Sequence, residues 1–418
     1  MFPRIVVLAL LLGLPLSGQA QPVTVVAVGD IACDPADPSY NGGAGTATNC
    51  RMLATSDVAL SLLPAAVLLL GDNQYEDGAL AKYQASYGPS WGRLKAVTHP
   101  IPGNHEYGTP AAAGYYAYFG AAAGDPAKGW ASFDLGGWHL IGLNSNCGAV
   151  GGCGAASAQG QWLAADLAAH PGVCTLAWWH HPRFSSGPHG NDALSADFWS
   201  LLYAARADLV LVGHDHGYER FAPQSPAAAA DPAGIREFVV GTGGKNLTSV
   251  MTVRANSEVR NYGAYGVLEL KLWPNGYDWR FVGVNGATLD SGRGLCHSAL
   301  PTEGLDFHTI LPCRLVDTRS SSPLVAGVRA SFAAAGLCGI PADARAVAAN
   351  VTVVNPAATG DLVVFPSGAS LPLANTVSYR AAKTRASNAV VALGVAGEID
   401  AWSTSATHLV VDVTGYFF

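Results

Sequence analysis

The sequence predicts a mixed α/β or α+β domain followed by a smaller all-β, sandwich-like domain. Two observations carry this reading. Up to His297, β-branched or leucine-rich runs alternate with alanine-rich helical stretches. Past Ser298 the helical stretches stop, and short alternating runs recur between turn residues, as in a sandwich or barrel. A length of 418 residues suits two or three domains at roughly 100–200 residues each.

Residues 1–20 carry one early cation (Arg4), an apolar run over 5–16, and small or polar residues ending at Ala20. That is the pattern of a secretory signal. The run is shorter than the about 20 apolar residues a membrane span needs, so the expected mature chain is exported, extracellular or periplasmic, with no span. Strands are predicted at 23–28, 65–70, 138–143, 173–178 and 209–212, with helices at 51–63 and 156–170. The second helix has Ser157 at its start and His170-Pro171-Gly172 at its stop. Further strands are predicted at 235–240, 265–272 and 277–284. The resulting division is a signal peptide (1–20), a mixed α/β domain (21–297), a Pro- and Gly-containing linker (298–306) and an all-β accessory domain (307–418). Within the last, runs at 346–354, 360–365, 375–379, 388–393, 398–403 and 408–414 are strand candidates.

Half of the residues are hydrophobic and only 13% are charged, which excludes a disordered chain. A net charge of −7 argues against a nucleic-acid or anionic-membrane binder, because no basic surplus exists to neutralise phosphates. The eight cysteines of an exported chain read as disulfides. Closeness favours Cys33 with Cys50, Cys147 with Cys153 and Cys313 with Cys338, which leaves Cys174 and Cys296 by elimination. No C-x-x-C spacing supports a thiolate metal site.

Five apolar runs end directly in residues able to ligate metals. These ends are Gly29-Asp30, Gly71-Asp72-Asn73-Gln74-Tyr75, Gly103-Asn104-His105-Glu106, His180-His181-Pro182 and Gly213-His214-Asp215-His216. In open α/β sheets ligands bind beyond the carboxyl ends of strands, so the five clusters are expected to share one crevice. Mixed Asp, Asn, His and Tyr donors suit hard to borderline cations. Two cations sharing a carboxylate can clamp an in-line displacement at phosphorus.

The order D, GDxxY, GNH[DE], H before x-Pro, and GHxHxYER resembles the purple acid phosphatase branch of the calcineurin-like metallophosphoesterases, over about residues 23–283. The resemblance implies a two-sheet β-sandwich flanked by helices, with two metals at the strand ends. The first metal would take Asp30, Asp72, Tyr75 and His216; the second would take Asp72, Asn104, His180 and His214. Ala32 stands where the wider superfamily has a histidine, so Tyr75 implies a tyrosinate-bound Fe(III) beside a divalent ion (Fe, Zn or Mn). Ionised Asp30, Asp72 and Tyr75 would leave such a pair locally cationic despite the chain's overall charge.

The implied activity is hydrolysis of phosphate monoesters, by attack of a metal-bound hydroxide on a small phosphorylated substrate. His105 is the candidate general acid and His189 a substrate-contacting histidine, with His181 and Arg183 as lesser candidates. A phosphodiesterase or nucleotide pyrophosphatase on the same metals is the alternative. A non-catalytic surface or binding protein is a third reading, against which every proposed ligand is present. Some members carry a fibronectin-like domain before the catalytic one, and Asp30 is expected to lie too close to the cleavage point for one. Residues 312–319 (PCRLVDTR) and 411–417 (VDVTGYF) resemble an accessory module of exported bacterial proteins. That resemblance implies stability, or surface or glycan contact, with Asp317, Arg319 and Asp412 in buried ion pairs.

Overall fold

The structure, a computed structural model, describes residues 21–297 and 305–418. The expected signal peptide and most of the expected linker lie outside the described residues. Two compact units are present, over 22–297 and 305–418.

In the first unit, the strands are β1 (Val23–Val28), β2 (Ala66–Leu70), β3 (Thr98–Ile101), β4 (Ala131–Leu135), β5 (Trp138–Gly142), β6 (Cys174–Trp178) and β7 (Leu209–Val212). They continue with β8 (Tyr218–Phe221), β9 (Arg236–Val240), β10 (Ser257–Asn261), β11 (Gly266–Trp273), β12 (Gly276–Gly283) and β13 (Thr288–Leu295). One sheet has the order β13-β12-β11-β1-β2-β3 and the other β10-β8-β9-β7-β6-β5-β4. Strands β1, β2 and β3 run parallel, as do β5, β6, β7 and β9. Each parallel set therefore delivers its C-terminal ends to one edge of its sheet.

The residue pattern explains the layering. Every residue of β2 (AVLLL) and β7 (LVLV) is buried, as expected of parallel strands covered on both faces. In the second sheet the period of two divides the side chains between two cores. Leu176, Trp178, Leu209, Leu211, Phe238 and Val240 join the core shared with Val25, Leu68 and Leu270 of the first sheet. Ala177, Val210, Val212 and Val239 face a separate core. The helices Ala158–Ala169 and Ala196–Ala204 close that core with Leu163, Leu167, Phe198 and Leu202. Ser157 caps the first of them, its hydroxyl accepting from the Gly160 N–H at 3.0 Å. The helix Met52–Ser61 packs on the first sheet at β11 and β12.

The second unit holds two four-stranded antiparallel sheets. One is formed by β14 (Phe307–Asp317), β16 (Ala346–Val354), β19 (Arg385–Ala392) and β21 (His408–Phe417), and the other by β15 (Ala330–Ala333), β17 (Gly360–Pro366), β18 (Val377–Tyr379) and β20 (Glu398–Ser403). Val347, Val351 and Val411 of one sheet share a core with Leu362, Val364 and Ile399 of the other. The ion pairs expected here to be buried are exposed. Arg314 grips Asp412 and Arg319 grips Asp317 with side chains from about a quarter to a half accessible. Such pairs add little stability, because water screens them.

All four cysteine pairings form, with Cα–Cα distances of 5.4, 5.1, 5.4 and 5.7 Å for Cys33–Cys50, Cys147–Cys153, Cys174–Cys296 and Cys313–Cys338. Cys174–Cys296 spans 122 residues and joins the start of β6 to the end of β13, so it ties one sheet to the other. Among the described residues no helix is long and apolar enough to cross a membrane. The disulfides are consistent with an extracellular protein.

Candidate metal centre

Five strands bring the predicted clusters together. β1 ends at Asp30, β2 at Asp72 to Tyr75, β3 at Asn104 to Glu106, β6 at His180 and β7 at His214 to His216. The chain turns sharply at three of these ends, where Asp30, Asp72 and His214 have φ of +61°, +47° and +70°. Non-glycine residues rarely adopt that region, and such conformations concentrate at functional sites. Close approach explains two of the preceding glycines. A β-carbon on Gly71 would lie 2.6 Å from His180 Nδ1, and one on Gly213 would lie 2.7 Å from Asp30 Oδ2.

The donors fall into two groups that meet at one oxygen. Tyr75 Oη lies 2.8 Å from Asp30 Oδ1, 3.1 Å from Asp72 Oδ2 and 3.1 Å from His216 Nε2. His180 Nε2 lies 3.1 Å from Asn104 Oδ1, 3.1 Å from His214 Nδ1 and 3.3 Å from the same Asp72 Oδ2. Backbone carbonyls orient two of the imidazoles. His180 Nδ1 is 2.8 Å from the Leu70 oxygen and His216 Nδ1 is 2.7 Å from the Asn246 oxygen, which turns both Nε2 lone pairs inward.

Seven oxygen and nitrogen donors thus converge, most of them deeply buried. Burial alone would raise Asp72, but the charges of His180 and His105 hold it well below the usual carboxylate range. Burial would lower His180, but Asp72 beside it lifts the imidazole to about 9. Burial, then Asp30 and Asp72, push the Tyr75 phenol well above its ordinary value. In each case protons hold together a knot of acceptors that a cation would hold instead. The donor chemistry fits two hard-to-borderline cations sharing Asp72.

The other candidates separate. His105 donates its backbone N–H to Asp72 Oδ1 at 2.9 Å, and its Nε2 is 3.9 Å from Asp72 Oδ2. The His105 ring stands 4.4 Å from the Tyr75 ring. His189 is half-exposed, lies with its ring 4.0 Å from the His214 ring and tilted 34° to it, and sets Nδ1 2.8 Å from buried Asp215. His181 pairs with Ser145 Oγ at 2.8 Å, and burial followed by the His180 charge pushes it down to about 3. Arg183 spreads its guanidinium over the Phe184 ring at 4.6 Å.

Sequence reading named Glu106 within its cluster without giving it a role, and it missed Lys245. Glu106 is buried and joins the β2 and β3 ends. Its Oε1 accepts from the N–H of Asn73 (2.9 Å) and Gln74 (3.1 Å) and from the Tyr83 hydroxyl (2.8 Å), and its Oε2 accepts from the Gly103 N–H (2.7 Å). Burial, then the Asp72 charge, raise its carboxyl to about 7. Lys245 follows β9 in the run Gly241-Thr242-Gly243-Gly244-Lys245. A glycine-rich strand end was the available signal, and it is the sixth to reach the site.

The family described as calcineurin-like phosphoesterase matches residues 23–218, the segment that supplies all seven donors. This is a calcineurin-like metallophosphoesterase domain. Purple acid phosphatase 22 of Arabidopsis thaliana is 37% identical over 124 residues, covering 27% of this chain and 26% of the relative. Purple acid phosphatase 23 of the same plant is 27% identical over 245 residues, covering 49% and 52%. The chain thus spans from about a quarter to about half the length of these curated relatives. Among solved structures, a purple acid phosphatase from yellow lupin (Lupinus luteus) seeds shares the fold, with a TM-score of 0.56 and 18% identity over 70% of this chain and 58% of that one. The likeness of these relatives supports the purple acid phosphatase branch for this domain.

Proposed function

We propose that the protein is an exported, dinuclear metal-dependent phosphatase that hydrolyses small phosphate monoesters. The observation that carries the reading is the position of Asp72 Oδ2, within 3.1 Å of Tyr75 Oη and 3.3 Å of His180 Nε2, the reach of a shared carboxylate. Asp30, Asp72, Tyr75 and His216 would hold Fe(III), and Asp72, Asn104, His180 and His214 a divalent Fe, Zn or Mn ion. When bound, the ions would supply Lewis-acid polarisation of the phosphoryl group and a water acidic enough to ionise near neutral pH. The chain's own residues keep the donors fixed before substrate arrives, so little reorganisation is needed at reaction. His105, partly exposed beside Asp72, donates a proton to the leaving oxygen, and His189, half-exposed beside His214, contacts the phosphate. Export is supported by the four disulfides and by the signal pattern of residues 1–20. Activity confined to a reducing cytoplasm would overturn it.

Assay of p-nitrophenyl phosphate against its bis-ester tests the substrate class. Faster turnover of the diester would replace the monoesterase reading with a phosphodiesterase one.

Replacing His105 with Ala should retain both metals and slow hydrolysis roughly 100-fold or more for poor leaving groups. Loss should be much smaller for p-nitrophenolate, which departs without a proton. Equal loss across leaving groups would count against the acid role. Tyr75→Phe removes the hydroxyl that faces Asp30 and His216, so iron-loaded protein should lose its visible absorption band and bind the first ion more weakly. A colourless parent enzyme, fully active with zinc at both positions, would sink the iron assignment.

A further inference from the structure

Lys245 occupies a position that the proposed ligand set does not use. Its Nζ lies 4.8 Å above the centroid of the Tyr75 ring. It is ion-paired with Glu76, which follows Tyr75 in the chain, and the lysine side chain is only 12% exposed. The Lys245 backbone N–H donates to the Asp30 carbonyl at 3.0 Å, so the residue is anchored to a second loop of the site. The carboxylates of Asp30 and Asp72 and the imidazole of His216 gather at the hydroxyl end of Tyr75, whereas the ammonium sits on the ring face. An aromatic face attracts a cation, more so when water is excluded, and a phenolate ring attracts it further by its net charge.

We infer that the Lys245–Glu76 pair sets the electron-donor strength of the Tyr75 phenolate as an iron ligand, a role that rests on the proposed Tyr75–iron assignment. In this role Lys245 acts through Tyr75, whose ring it covers. A cation closer to the donor ring than to the accepting metal stabilises the donor orbital more than the acceptor. It therefore raises the energy of phenolate-to-Fe(III) charge transfer. Glu76 partly neutralises the ammonium and tempers the effect.

The test is the visible spectrum of the iron-loaded full chain and three variants, with iron content and far-UV circular dichroism measured on each. Lys245→Met should move the band to longer wavelength, and Glu76→Gln to shorter wavelength. Lys245→Arg, which keeps the charge, should leave the band near its parental position. A structural role alone would not shift the two neutral variants in opposite directions. A coloured parent whose band is unmoved by Lys245→Met, or moved the same way by both neutral variants, overturns the inference alone. An iron-loaded parent without a visible band removes the tyrosinate assignment and this inference with it.

Discussion

Asp72→Asn is expected to abolish hydrolysis and to release metal while leaving the fold intact. The substitution is nearly isosteric, and Oδ1 can still accept the His105 N–H now held at 2.9 Å. The other atom then becomes an NH2 group aimed at the point that Tyr75 Oη and His180 Nε2 share. A donor there repels a cation and removes the only carboxylate common to both ligand groups. Losing the Lewis-acid contribution of even one ion, several kcal/mol, corresponds to a fall on the order of 10³-fold or more in kcat. Metal analysis of the purified variant should give less than the full complement of the parent protein. Full metal content with parental activity would refute a bridging role.

The second large effect is on stability. Glu106→Ala deletes a buried carboxylate that receives three backbone N–H groups and the Tyr83 hydroxyl. Four donors would lose their partner at a position where Glu106 is fully buried. Unpaired buried donors cost about 1–3 kcal/mol each in partner-deletion experiments, so a loss of about 3–5 kcal/mol is expected for the set. For a unit of this size that lowers Tm by roughly ten degrees. The comparison should use chelator-treated parent and variant, so that metal binding does not add to the difference. Glu106→Gln should fall between them, since one oxygen remains for the N–H groups of Asn73 and Gln74. A change in unfolding free energy within about 1 kcal/mol for Glu106→Ala would show that the loops of β2 and β3 are held by other contacts.

The fold and the donors were legible to different depths. Strands buried on both faces announced themselves, because β2 and β7 are unbroken apolar runs closed by glycine. Edge and near-edge strands did not. β10 (SEVRN) and β13 (TLDSGRGL) carry polar residues and glycine at positions that are at most partly buried, so neither shows an apolar run or clean alternation. β8 was hidden for another reason. Its residues Tyr218 to Phe221 belong to the GHxHxYER stretch, which reads as a ligand loop. The ion pairs of the C-terminal unit were expected inside and are exposed, since alternating residues of β14 and β21 face solvent as well as the core. Lys245 was passed over because a lysine after glycines has many ordinary uses, and nothing local reveals the ring it covers.

What the sequence by itself determined is which residues stand at strand ends. An apolar run stops where glycine and a polar residue begin, and that is a local property of the chain. The tertiary structure alone decided how those ends meet. Parallel pairing within each sheet delivers Asp30, Asp72 and Asn104 to one edge and His180, His214 and Lys245 to the other. Packing of the sheets over a common core then closes the two edges together. Only that closure brings Asp72 Oδ2 within 3.3 Å of His180 Nε2 and sets an ammonium over Tyr75. Distances of 3–5 Å between residues more than a hundred positions apart are a product of packing, and no pattern along the chain encodes them.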